Sequence, residues 1–332
     1  MSVVASKRLS VTREPKRRTK MKKKYILFAA TLAVVLAVVA VYYVFPETAF
    51  KLLRQAERSG AGLTQTGIDL EGFHIEYLEG GQGDVVLLLH GFGANKDHWT
   101  RISKHLTTHF RVIALDLPGF GDSSRQPDSN YTIVSQVDRI HAFVQALGIR
   151  SFHLGGSSMG GSIAGGYAVL HPEDVTSLWL VAPGGVAAAD PSEMALKLRA
   201  GQPNPLIVES LEDYKRLTDF IFVRKPFIPG PILNQLAKEA VRSRPLNQRI
   251  FKQLLEASNR TGLENALNGS LVPTLIVWGA DDRVLDVSGA KILGSVMPKS
   301  QVVIMEGVGH LPMVERPKET AEIYLSFLRQ KK

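Results

Sequence analysis

The 332-residue chain contains no cysteine. That absence excludes a disulfide-stapled fold, a thiol nucleophile, Cys–zinc sites and iron–sulfur clusters. Internal repeats are missing too. Outside its N-terminus the chain also lacks a charge of one sign. The net charge of +9 resembles a nucleic-acid signal until it is located. Ten of the 40 basic residues and one of the 31 acidic ones fall within residues 1–24, so the remainder is neutral. A neutral body without a basic stripe excludes DNA or RNA as the expected partner. The hydrophobic fraction of 45% and charged fraction of 21% suit a chain that buries a core, and exclude disorder, collagen and a coiled coil. The length fits one large α/β domain with an insertion, or two modest domains.

One long hydrophobic run is present, the 21 residues Tyr25–Phe45, without charge, Gly, Pro or amide. As a helix it spans roughly 30 Å, the thickness of a bilayer's hydrocarbon. A signal-peptide core is usually about 7–15 residues and ends at small residues. Here the exit is Tyr42-Tyr43-Val44-Phe45-Pro46, bulky and aromatic. The expectation is an uncleaved single-pass anchor, with a cleaved signal as the alternative. Basic residues ahead of the span place the N-terminus in the cytoplasm and the body across the membrane, periplasmic or extracytoplasmic. Met21-Lys22-Lys23-Lys24 would serve as a second translation start. Ser2–Thr19 is expected to be a solvated, disordered arm. Lys51, Arg54 and Arg58, with Leu52 and Leu53, suggest an amphipathic helix on the interface.

The expected organisation is a basic tail over 1–24, an anchor over 25–45, an interfacial helix and linker over 46–67, a catalytic core over 68–183 and 272–332, and a helical lid inserted at 184–271. The linker is the Gly/Thr-rich Ser59–Gly67. Beyond it, short apolar runs alternate with helical patterns, the rhythm of a mainly parallel sheet. Strands are predicted over Phe73–Leu78, Val85–Leu89, Arg111–Leu115, Ser151–Gly155, Ser177–Val181, Thr274–Trp278 and Gln301–Met305. Val85–Leu89 is apolar at every position, as a strand buried on both faces requires. From Pro183 to Val272 the rhythm stops. A helical insertion with joints at Pro203, Pro205, Pro226, Pro229, Pro231 and Pro245 is expected there.

Gly156-Ser157-Ser158-Met159-Gly160 reads G-x-S-x-G between a predicted strand and a predicted helix, the context a nucleophile elbow needs. A serine hydroxyl needs a base, and the base an orienting acid. His310, in the glycine-rich loop Gly307–His310, is the candidate base. Asp282, in the loop after Thr274–Trp278, is the candidate acid, with Asp281 second and Asp286 read as a helix cap. An oxyanion needs two backbone N–H donors. Met159, next after the serine, and Phe92, in His90-Gly91-Phe92-Gly93, are the candidates. His90 is read as a brace of that loop, and Asp116–Ser123 as a structural turn. This chemistry calls for no metal and no cofactor.

Together these stretches resemble the α/β-hydrolase superfamily from about Phe73 to Leu328. His90–Trp99, Val272–Gly279, Val284–Ala290 and Gly309–Pro317 look like the membrane-anchored monoacylglycerol lipases within it, and like related bacterial lipases and esterases. The resemblance implies an α/β fold with a mostly parallel eight-stranded sheet, an inserted helical lid and an N-terminal transmembrane helix. It implies Ser158, Asp282 and His310 as a triad, and Phe92 and Met159 as oxyanion donors. The implied substrates are lipid esters, held in the lid by apolar residues such as Phe220–Phe222 and Phe227-Ile228. Two other readings remain: a carbon–carbon bond hydrolase of the same fold, and a catalytically inactive membrane scaffold.

Overall fold

The computed structural model describes residues 15–258 and 262–330. They fall into two units, Met1–Lys51 and Leu52–Lys332. The first unit is dominated by α1 (Pro15–Val44). The basic stretch from residue 15 to 24 is thus helical, where part of a disordered arm was expected. The remainder of that arm lies outside the described residues. Phe45 ends the helix, because a residue preceding proline is pushed out of the α region. Among the described residues, Met21–Val44 is the helix long and apolar enough to cross a membrane. Tyr25, Leu27, Phe28 and Leu36 on it are exposed. Within its apolar stretch the Thr31 hydroxyl donates to the Leu27 carbonyl at 2.9 Å.

Helix α2 (Pro46–Gly60) enters the second unit. Two of its arginines are held by carboxylates of the second unit. Arg58 is buried and grips Asp97 with two hydrogen bonds of 2.6 and 2.7 Å. Arg54 reaches Glu239 at 3.1 Å. Leu52 and Leu53 remain exposed.

Eight strands follow: β1 (Thr64–Leu70), β2 (Phe73–Gly80), β3 (Val85–Leu89), β4 (Arg111–Leu115), β5 (Phe152–Ser157), β6 (Val175–Val181), β7 (Thr274–Gly279) and β8 (Ser300–Met305). They form one sheet in the order β1-β2-β4-β3-β5-β6-β7-β8. β2 is antiparallel to both its neighbours, and β3 to β8 are mutually parallel. β1 was not expected. Thr64–Gly67 belongs to it, so the linker reading of Ser59–Gly67 is corrected. β1 is an edge strand whose residues are mostly exposed, so it carries no apolar run. It exists because Gly72, with φ of +78°, folds it back onto β2.

Alternation builds two cores from one strand. Leu87 and Leu89 join Ile113, Leu115 and Leu154 on one face of the sheet, while Val86 and Leu88 join Val112, Ala114 and Val277 on the other. The first face is covered by α4 (Ile133–Ala146), α5 (Met159–Leu170) and α10 (Ser288–Val296), through Ile140, Phe143, Ile163, Tyr167 and Leu293. The second is covered by α3 (Thr100–Leu106) and α12 (Pro317–Arg329), through Ile102, Leu106, Tyr324 and Phe327. A short α11 (Pro312–Glu315) precedes α12.

Between β6 and β7 lie α6 (Glu193–Arg199), α7 (Leu211–Ile221), α8 (Gly230–Ser258) and α9 (Leu263–Ala266). Pro203, Pro205, Pro226 and Pro229 sit in joints, but Pro245 lies inside the 29-residue α8 and separates nothing. Neighbouring turns of that helix carry the site where the proline removes one N–H.

β4 and β5 flank β3 on opposite sides, so successive connections diverge there. In open α/β sheets, ligands bind outside the carboxyl ends of the strands at such a point.

The second core closes through Tyr324, which stacks on Trp179 at 4.1 Å between ring centroids, and both are buried. Tyr324→Ala is expected to lower the unfolding free energy by about 3–5 kcal/mol, read from urea denaturation of the detergent-solubilised chain.

Candidate active site

Ser158 follows β5 and precedes α5 with φ of +55° and ψ of −120°. For a residue with a Cβ this backbone is strained, and the surroundings hold it there. The Ser158 N–H donates to the Val181 carbonyl at 2.9 Å, and its own carbonyl accepts from Gly184 N–H at 3.0 Å. The neighbouring glycines are steric necessities. A Cβ on Gly156 would lie 2.1 Å from the Gly160 carbonyl oxygen, and one on Gly160 would lie 2.3 Å from that of Leu89. The spacing G-x-S-x-G is therefore the record of a backbone crossing with no room for side chains.

Asp282 and His310 stand beyond the ends of β7 and β8. The His310 Nδ1 lies 2.7 Å from Asp282 Oδ2. Both residues are buried. An ionised carboxylate only accepts, so Nδ1 carries the proton and Nε2 keeps its lone pair. The other three partners of Asp282 also donate: Val284 N–H and Leu285 N–H to Oδ1 at 2.8 and 3.0 Å, and the Trp278 indole to Oδ2 at 3.1 Å. Asp281 is exposed and makes no such pair, and Asp286 accepts from Ser288 N–H at 2.9 Å as a local cap. Among the described residues no hydrogen bond reaches the Ser158 hydroxyl. A contact between nucleophile and base that tightens only with substrate is common in free enzymes.

Met159 N–H is the first of α5, where helix geometry offers it no intrahelical acceptor. The loop after β3 lies against the serine: a Cβ on Gly91 would be 3.1 Å from Ser158 Cβ. This loop carries Phe92. Two polar ties hold it to the turn after β4. His90, fully buried, accepts from Leu117 N–H through Nε2 at 3.0 Å and donates from Nδ1 to the Gly91 carbonyl at 2.7 Å. Burial pushes its pKa down to about 3, so the ring stays neutral.

The second tie was not foreseen in the sequence. Lys96 is almost wholly buried, and its ammonium lies 2.6 Å from Asp116 and 2.7 Å from Asp122, while its backbone N–H donates to Asp116 at 2.7 Å. Burial opposes the charged lysine, but the two carboxylates outweigh it and hold its pKa above the ordinary value. The Asp116–Ser123 turn is thus an electrostatic socket for the loop bearing Phe92. The available signal was a lone lysine among aromatic and glycine residues, with two aspartates six apart in a turn.

The inserted helices meet the site from above. His310 N–H donates to the Ile221 carbonyl at 2.8 Å, and Glu315 accepts from both Gly309 N–H and Arg224 N–H. A cavity of about 890 Å³ lies among α6, α7 and α8, lined by Leu198, Ile207, Phe220, Phe251 and Leu255. Phe251 packs edge-on to Phe92, 5.3 Å between centroids. Of the residues expected to line an acyl path, Phe220 lines this cavity. Ile221 and Phe222 pack into the second core instead, and Phe227 is 88% exposed.

Ser158 on its strained turn, the Asp282–His310 pair and the loop carrying Phe92 all stand at the carboxyl edge of the parallel sheet. Residues 84–317 match the α/β hydrolase fold family. The chain belongs to that family. It is 36% identical over 277 residues to Lipase 1 of Psychrobacter immobilis, covering 82% of this chain and 86% of that protein. It is 33% identical over 316 residues to the monoacylglycerol lipase ABHD6 of Rattus norvegicus, covering 92% and 94%. Among solved structures it resembles a membrane phospholipase A described as a bacterial virulence factor, at a TM-score of 0.84 and 43% identity over 92% of this chain and 98% of that one.

Two outcomes follow from the braces. Lys96→Met leaves Asp116 buried without its cation, and stability should fall by about 3–5 kcal/mol in urea unfolding at neutral pH. For His90 the folded pKa lies below the ordinary 6.5. Its contribution is complete above that pH and is lost as pH falls toward 3, because only the unfolded chain gains the proton. Between pH 6.5 and about 4.5 this removes roughly 2–3 kcal/mol, and His90→Asn should flatten that part of the stability profile.

Proposed function

We propose that this chain is a membrane-anchored serine hydrolase that cleaves carboxylic esters of lipids, a monoacylglycerol-type lipase or esterase. The observation that carries the reading is the 2.7 Å pair between Asp282 and His310, delivered to the sheet edge where Ser158 stands on its strained turn. His310 takes the Ser158 proton as the serine attacks the ester carbonyl. Phe92 and Met159 N–H groups stabilise the oxyanion. His310 then protonates the departing alcohol, and an acyl-enzyme remains on Ser158. Water, activated by the same imidazole, releases the acid. Asp282 fixes the tautomer throughout.

A lipid substrate is supported by the relatives, which are named as lipases, and by the cavity among α6, α7 and α8, whose wall sets Phe220 and Phe251 beside polar and charged residues. That cavity would take the acyl chain, with the inserted helices as its lid. The helix Met21–Val44 would hold the enzyme at the bilayer, where such esters partition. Its preceding basic residues favour a cytoplasmic N-terminus and an extracytoplasmic catalytic domain. A carbon–carbon hydrolase would use the same three residues, and differs in what it turns over.

The test is hydrolysis by detergent-solubilised protein across an acyl series, from p-nitrophenyl acetate to long-chain monoacylglycerols, with Ser158→Ala alongside. Ser158→Ala should lower kcat by roughly 10⁴-fold or more. Activity that rises with chain length and vanishes in the variant supports the lipase. A variant that keeps the wild-type rate, or a wild type inert toward every ester, sinks it.

A further inference from the structure

At the far end of the sheet from Ser158, three side chains with ligand chemistry converge without a role in acyl transfer. His141 belongs to α4, His171 follows the last turn of α5, and Asp174 ends the short turn Pro172–Asp174 that feeds β6. The start of β6 pairs with Phe152, the first residue of β5, whereas Ser158 follows the last residue of β5. The cluster and the triad therefore occupy opposite edges.

One ligand atom from each of the three residues lies within 4.8 Å of the other two. His141 Nδ1 is 3.7 Å from Asp174 Oδ2. The two imidazoles are stacked face to face, 3.9 Å between centroids and 8° from parallel. Asp174 is 8% exposed, and the His141 side chain is 35% exposed, so a solute can reach the group. Beneath it, the buried Tyr167 hydroxyl donates to Asp174 Oδ2 at 2.7 Å and lies 3.1 Å from His141 Nδ1. The phenol thus orients both a carboxylate and an imidazole from behind.

We infer that His141, His171 and Asp174 bind a first-row divalent metal ion that staples α4, α5 and the start of β6 together. Two imidazole nitrogens and one carboxylate oxygen suit zinc and its neighbours, whereas calcium and magnesium favour all-oxygen sets. Bonds of about 2.0–2.2 Å require the ligand atoms to draw in by roughly 1–1.5 Å from their widest spacing. Rotating the imidazoles out of their stack supplies that movement, and the donor from Tyr167 keeps the carboxylate in place. Water completes the coordination on the exposed side. Partners of this second kind typically change metal affinity by about 10–100-fold. The absence of cysteine from the chain removes thiolates as competing ligands.

The experiment uses the full-length, detergent-solubilised chain after removal of metal. ZnCl₂ is titrated by calorimetry, thermal unfolding is followed with and without Zn²⁺, and Cu²⁺ loading is read by electron paramagnetic resonance. Wild type should bind one tight equivalent and unfold at higher temperature with Zn²⁺. His171→Gln and Asp174→Asn should each weaken binding at least about tenfold, and Tyr167→Phe by about 10–100-fold, with ester hydrolysis unchanged. Wild-type Cu²⁺ should show imidazole-nitrogen coupling. Variants that bind as tightly as wild type overturn the site. So does a wild type that binds no more Zn²⁺ than the His141→Gln/His171→Gln pair. The Cu²⁺ spectrum needs no variant, so misfolding of a mutant leaves the test intact, and a spectrum without nitrogen coupling overturns the inference alone.

Discussion

The constraint on which the site depends is the crossing of backbone at Gly156, Ser158 and Gly160. Carbonyl oxygens of Gly160 and Leu89 occupy the space where side chains would be, and Ser158 is forced to φ of +55°. Strain of this kind persists only where the surroundings over-determine it. Here β3 supplies the floor and β6 the clamp, through Val181 and Gly184. The parallel sheet is thus more than a platform. Its central strands, buried on both faces, are what keep a high-energy turn from relaxing.

A second constraint is electrostatic. The loop carrying Phe92 has glycines at 91 and 93. It is fixed by groups that water cannot reach: a neutral imidazole at His90 and an ammonium at Lys96 set between two aspartates. Buried charges are costly to assemble and costly to break. In the proposed mechanism that expense sets the Phe92 N–H in place before the substrate arrives, because donors that need no reorganisation are the ones that stabilise developing charge.

Much of this was legible in the chain. Strand β3 announced itself as a continuous apolar run, and the proposed triad as three residues each placed just after a strand end in the order Ser, Asp, His. These features are local in sequence. What escaped was set by distant partners. β1 is an exposed edge without an apolar pattern, and it pairs through a tight glycine turn. Lys96 reads as a surface cation until Asp116 and Asp122 close over it. Pro245 reads as a joint because proline usually ends helices, yet packing carries α8 through it. The partners of Arg54 and Arg58, Glu239 and Asp97, likewise lie far along the chain.

The inserted helices are not an independent cover. Ile221, at the end of α7, accepts from the N–H of His310, and Glu315 binds Gly309 and Arg224 together. Next to the proposed acid, Arg283 pairs with Glu193 of α6 at 2.6 Å and lies over the ring of Phe220. The loops that hold the acid and the base are therefore the loops that hold the wall of the 890 Å³ cavity. Substitutions that reshape the cavity through α6 or α7 pull on the same backbone that sets the Asp282–His310 distance. In this architecture the wall of the cavity and the Asp282–His310 pair share one set of hydrogen bonds. Wall positions such as Leu198 on α6 and Ile207, in the segment between α6 and α7, stand apart from those ties.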